Sequence, residues 1–335
     1  MHQKSRHLGY VDFLKGFAIV SVILLHALPK KVLVETYAVF HIWQAVPLFV
    51  FISFLLIYIK LRRISVSDYY GKKNWGKLFK RIIAPFLIIE GLLLLFFAIK
   101  GNNELILQFL QNGRIGRGSY YFYVYLQIWL LAPITYLLMR WNHLLGGVIL
   151  LFVSVLGNVM CFFAGLSPML ESCLALRYIF IAVIAYEWMN NSKSRTWKYL
   201  FPVISVLYLL LMDYYDFNPW IPNTGGWGHQ QFPSFFYLFP FVSIMVYLYT
   251  KCNSFLSTSI RWLGQYSWEI YLIQMIFFLF PFNTYIPLGN SIIHQIVYCI
   301  ISLILCILPV YAYSKVKQLY KQNENTLYNT CPWWQ

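Results

Sequence analysis

Tyr10-Val11-Asp12-Phe13-Leu14-Lys15-Gly16-Phe17-Ala18-Ile19-Val20-Ser21-Val22-Ile23-Leu24-Leu25-His26-Ala27-Leu28-Pro29 opens the chain with one acid, one ammonium and one imidazole in a mostly apolar run. A helix crossing the hydrocarbon of a bilayer needs about 20 such residues. The run is too long for a transmembrane strand and does not alternate. Asp12 and Lys15 interrupt its start, and His26 precedes Pro29-Lys30-Lys31 without a small-residue cleavage site. It therefore reads as a retained first helix rather than a signal peptide.

Similar runs follow. Ten candidate spans cover 10–29, 38–59, 82–99, 119–139, 144–163, 170–189, 198–212, 235–250, 262–282 and 291–313. The expected fold is all-α: a polytopic membrane protein of about ten transmembrane helices. One domain would occupy 1–313, and 314–335 would be a cytoplasmic tail. Composition agrees. Of 335 residues, 60% are hydrophobic, 20% aromatic and 11% charged, against about 25% charged in a soluble domain. That excludes a soluble enzyme, a disordered chain and a secreted disulfide scaffold.

The net charge of +15 lies in patches between apolar runs. Positive-inside topology explains such patches without invoking nucleic acid. With the N-terminus inside, 19 of the 26 Lys and Arg fall in inner segments and 5 in outer ones, with Lys15 and Arg177 within spans. Both termini are expected in the cytoplasm. The six cysteines form no CxxC pair, and no His/Cys/Asp/Glu spacing suggests a metal.

Ionisable groups inside a bilayer are costly and are functional candidates by default. Eleven residues separate Lys15 from His26, which is about 20° past three full helical turns. Asp12 is displaced from His26 by about 40° and lies about 21 Å below it. All three share one stripe. Asp12 and Lys15 read either as an interfacial i,i+3 pair with Lys15 snorkelling or as part of a site. His26 reads either as a packing hydrogen bonder or as a general base, because imidazole ordinarily titrates near neutrality. His41 would lie at a similar depth, where it would orient the base or sit in the wet interface. Arg177, with Glu171 nearby in sequence, needs a partner or an anion. Glu269 and Glu90 read first as structural hydrogen bonders.

The inner loop 60–81 holds eight Lys and Arg against Asp68 alone. Attraction to anionic lipid accounts for it generally. Its last part, Lys77, Lys80 and Arg81, leads straight into a helix and suits a phosphate. The loop 213–234 mixes aromatic, amide and acidic residues, as a sugar site or an interfacial aromatic belt would.

Three segments together resemble the membrane-bound acyltransferase-3 family of bacterial polysaccharide O-acyltransferases. The first is Tyr10 to Ile19 followed by His26. The second is Lys77-Leu78-Phe79-Lys80-Arg81-Ile82-Ile83-Ala84-Pro85. The third is Leu263-Gly264-Gln265-Tyr266-Ser267-Trp268-Glu269-Ile270-Tyr271-Leu272-Ile273-Gln274. Lys15 stands where the family usually has Arg, and Gln274 where His is common. The resemblance implies transfer of an acyl group, usually acetyl from acetyl-CoA, to a glycan hydroxyl in a bacterial cytoplasmic membrane. His26 would be the base, and Asp12 and Lys15, also counted as catalytic, would support the inner donor site. Lys77, Lys80 and Arg81 would meet the phosphates of coenzyme A, and His41, Arg177 and Glu269 would contact substrate. The acceptor would be a cell-surface or lipid-linked glycan. The same ingredients would also suit a transporter or flippase of a lipid-linked sugar, or a glycan polymerase. Neither of those has need of a thioester.

Overall fold

The structure is a computed structural model and describes residues 9–102, 104, 106, 107, 109, 116, 118–166, 168–190, 197–214, 230–280 and 292–330. Among these residues there is no strand. Backbone groups in hydrocarbon must bond internally, and long apolar runs do so as helices.

The order is α1 (Gly9–Ala27), α2 (Lys30–Glu35), two 3-10 turns (Ala38–Phe40 and Ile42–Gln44), α3 (Ala45–Leu61), α4 (Val66–Tyr69) and α5 (Lys72–Leu78). A π turn (Phe79–Ile83) leads into α6 (Ala84–Ile99). Then come α7 (Tyr120–Trp141), α8 (His143–Phe163), α9 (Pro168–Ser172), a 3-10 turn (Ala175–Tyr178), α10 (Ile181–Met189) and α11 (Trp197–Tyr214). The chain continues with α12 (Phe232–Phe235), α13 (Leu238–Lys251), α14 (Ser254–Gln265), α15 (Ser267–Phe277) and α16 (Ile292–Thr330).

Among the described residues, seven helical segments are long and apolar enough to cross a membrane: Gly9–Ala27, Ala38–Leu61, Val66–Ile99, Tyr120–Trp141, His143–Cys161, Phe232–Lys251 and Ile293–Tyr320. They correspond to seven of the ten expected spans, so long helices do not reproduce the count of ten. The stretch 170–189 is divided among α9, a 3-10 turn and α10, around the buried Glu171–Arg177 pair. The stretch 198–212 holds only a shorter apolar helix, Leu200–Met212. The stretch 262–282 is cut at Tyr266, whose φ of −106° and ψ of 17° end α14. Asn253 caps α14 by accepting a hydrogen bond from the Leu256 amide at 2.8 Å. The Ser, Thr, Arg and Gln residues of α14 suit an interface rather than a span. The expected boundary at 313 falls inside α16, which continues to Thr330. Of the loop 213–234, residues 215–229 lie outside the described residues.

Two apolar clusters hold the bundle. One joins α3, α7 and α10 through Phe51, Phe54, Tyr58, Ile128 and Ile181. There Tyr58 and Thr135 share a hydroxyl–hydroxyl hydrogen bond of 2.7 Å. The other joins α1 to α15 through Ile19, Ile23, Ile270 and Met275. Helix α1 packs against α3, α13, α14, α15 and α16, with Asp12 of its polar stripe buried and Lys15 and His26 half-buried.

Candidate active site

The geometry begins with a close crossing of α1 and α14. A Cβ at Gly16 would lie 1.9 Å from the Ile260 carbonyl oxygen, and one at Gly264 would lie 1.7 Å from the Asp12 carbonyl oxygen. Only hydrogen at both positions lets the backbones touch. That contact sets Gln265 beside Asp12, and its Nε2 donates to Asp12 Oδ2 at 3.4 Å. Asp12 is buried, and its Oδ1 lies 3.5 Å from Lys15 Nζ. The i,i+3 spacing predicted this pair, and the second helix adds Gln265 to it. Asp12 also sits in the first turn of α1, where a carboxylate complements the helix dipole.

Lys15 and His26 face one cavity of about 250 Å³. On α1 its wall runs through Val22 and Leu25, and on α3 from Val46 through Phe49 and Ser53 to Ile57. Lys15 to His26 and Val46 to Ile57 each advance eleven residues, about 16 Å of helix. Tyr121 and Tyr125 of α7 and Trp268 and Tyr271 of α15 complete the enclosure, with Ile82 of the π turn. The wall is mostly apolar, with few polar groups, as in small-molecule sites generally.

His26 is half-buried, its ring centroid 5.4 Å from that of Phe278. Gly118 sits against it with φ of +83°, and a Cβ there would lie 3.5 Å from His26 Nε2 and 3.4 Å from Gln274 Nε2. The Tyr271 hydroxyl donates to the Gly118 carbonyl at 2.9 Å and holds this turn at the imidazole. Gly118→Ala forces a side chain into a left-handed conformation, a strain of about 1–3 kcal/mol. It also narrows the space beside Nε2. The expected result is normal membrane levels with acyl transfer reduced about tenfold or more, measured with labelled donor. Unchanged transfer would show that the imidazole is approached from another side.

The other expected site residues are dispersed. His41 donates from Nε2 to the Thr36 carbonyl at 2.9 Å and does not line the cavity. Arg177 Nη2 lies 3.3 Å from Glu171 Oε1, both side chains buried, and neither lines the cavity. Glu269 is half-buried next to Trp268 and also stays off the wall. Glu90 is buried on α6. Lys77, Lys80 and Arg81 are exposed on the last turn of α5 and the π turn, which then delivers Ile82 to the wall. Lys60 continues the α3 stripe one turn beyond Ile57. It donates to Asn74 Oδ1 at 2.7 Å and lies close enough to Lys77 for their charges to interact.

Sequence reasoning did not single out Ser53, Gly118, Tyr121, Trp268 or Tyr271 as site residues. They come from three separate stretches of chain, and only the last two fell within a quoted motif.

A many-helix membrane protein whose half-buried imidazole faces a mostly apolar cavity fits an enzyme acting within the bilayer. The acyltransferase domain that defines the acyltransferase-3 family matches residues 8–311, and the chain belongs to that family. The protein is a multi-pass membrane acyltransferase. No curated protein and no solved structure matches the chain.

Proposed function

We propose that the protein moves an acyl group, acetyl foremost, from acyl-CoA to a hydroxyl of a cell-surface or lipid-linked glycan at the bacterial cytoplasmic membrane. The observation that carries this reading is that Lys15 and His26, eleven residues apart on α1, line one cavity. An acylated pantetheine arm has about fourteen bonds between the thioester carbon and the first phosphorus, about 17 Å when extended at ~1.2 Å per bond. Lys15 and His26 are about 16 Å apart along α1. The phosphates would sit at the Lys15 end, which the Lys/Arg asymmetry makes cytoplasmic. The thioester would then lie at the imidazole.

In this mechanism His26 takes the proton of the acceptor hydroxyl as its oxygen attacks the thioester carbonyl carbon. The tetrahedral intermediate collapses, the carbon–sulfur bond breaks, and the CoA thiolate leaves. The imidazolium returns the proton to sulfur. Asp12 positions the Lys15 ammonium, and Lys77, Lys80 and Arg81 attract the remaining phosphates of CoA from the cytoplasm. An acceptor at the outer face then meets a donor loaded from the inner face.

The test is purified protein in detergent with labelled acetyl-CoA and a surface-glycan acceptor, read by mass spectrometry for added acetyl. Failure to consume acyl-CoA under any acceptor would remove the reading. Lys15→Ala is expected to raise KM for acyl-CoA about tenfold with a smaller effect on kcat, since it removes a charge that holds the donor before and during reaction. Lys15→Arg should restore most of the loss.

A further inference from the structure

One polar feature of the cavity wall takes no part in the mechanism above. Ser53 of α3 and Tyr121 of α7 both line the cavity, and their hydroxyl oxygens are 3.3 Å apart. Ser53 Oγ donates its proton to the Phe49 carbonyl at 2.8 Å. The Tyr121 hydroxyl must therefore donate to Ser53, which leaves the Tyr121 oxygen as an acceptor. Among the described residues neither hydroxyl has a further hydrogen-bond partner. Along α3, Ser53 lies about 10 Å from Val46 and about 6 Å from Ile57, between the two ends of the cavity. Most of the wall around it is apolar.

An alkyl chain would leave this acceptor unmatched. The pantetheine arm would not, because it carries two amides, each with an N–H, between its thiol and its phosphate. We propose that the Ser53–Tyr121 hydroxyl pair is the amide-binding station of the donor cavity, with the Tyr121 oxygen accepting an N–H of the pantetheine arm. This rests on the acyl-CoA reading above and adds a recognition element to it. It separates the donor from free acids and simple thioesters, which bring no such donor to this depth.

The alternative role for the pair is helix–helix adhesion between α3 and α7. Binding distinguishes the two. The probes are CoA and adenosine 3′,5′-bisphosphate, which keeps the nucleotide and lacks the arm. Each is titrated calorimetrically into detergent-purified wild type, Tyr121→Phe and Ser53→Ala, with the melting temperature of each unliganded protein recorded. The expected result is CoA affinity about tenfold weaker in Tyr121→Phe, the loss of one buried hydrogen bond. Bisphosphate affinity should stay within about twofold and melting should change little. Ser53→Ala should show the same pattern more weakly, because it only frees the phenol to rotate. Equal loss for both ligands, or unchanged CoA affinity, would overturn the station. Wild-type protein that binds neither probe would instead remove the donor assignment itself.

Discussion

Replacing His26 with glutamine should leave the protein in the membrane at its normal level and reduce acyl transfer by about 10²- to 10⁴-fold, the contribution of a positioned general base. Glutamine keeps a hydrogen-bonding group of similar reach and preserves packing against Phe278. It cannot accept a proton from an attacking hydroxyl. Single-turnover transfer from labelled acyl-CoA checks this. Donor binding should survive, since the groups proposed to bind it are Lys15 and Tyr121, which line the same cavity. Near-normal turnover in the variant would eliminate His26 as the base, and the cavity would need another proton acceptor.

Among the described glycines, Gly264→Ala should be the most damaging single-methyl change. The added carbon would sit 1.7 Å from the Asp12 carbonyl oxygen and 2.9 Å from the Gly16 amide nitrogen. Both are backbone atoms, so no side-chain rotation relieves the clash. Overpacking commonly costs about 1–3 kcal/mol and more where backbone must move. The helices α1 and α14 would separate, releasing Gln265 from Asp12 and shifting the Lys15 end of the cavity. Thermal unfolding followed by size-exclusion chromatography should show a large drop in melting temperature or loss of the monodisperse peak. Gly91→Ala in α6 is the control, because nothing lies within 4 Å of its Cβ position. In a helix interior that change is expected to be neutral or to stabilise by about 0.5–1 kcal/mol. Equal effects at the two sites would mean that the α1–α14 crossing is looser than the structure has it.

The class of fold was legible because apolar runs near bilayer length leave few alternatives. The stripe on α1 was legible because helical periodicity fixes angles from spacing alone, and Lys15 and His26 do face a common space. Asp12 departs from that simple picture, being held by Gln265 from 253 residues away. The break at Tyr266 left no mark, since 262–282 reads as one hydrophobic run. The split in 170–189 accompanies the buried Glu171–Arg177 pair, which the residues suggest without marking where the helix breaks. The cavity wall was hidden for a general reason. Ser53, Gly118, Tyr121 and Tyr271 converge from distant helices, and no local period encodes such a meeting.

The mostly apolar wall of the cavity bears on fidelity as well as binding. In the proposed mechanism a thioester beside a general base is at risk from any water that reaches it, and apolar stretches of the wall reduce that leak. Loaded enzyme can then wait for its alcohol without squandering the charged donor. On this view the rate of futile cleavage, more than the rate of transfer, sets how tightly the wall must fit.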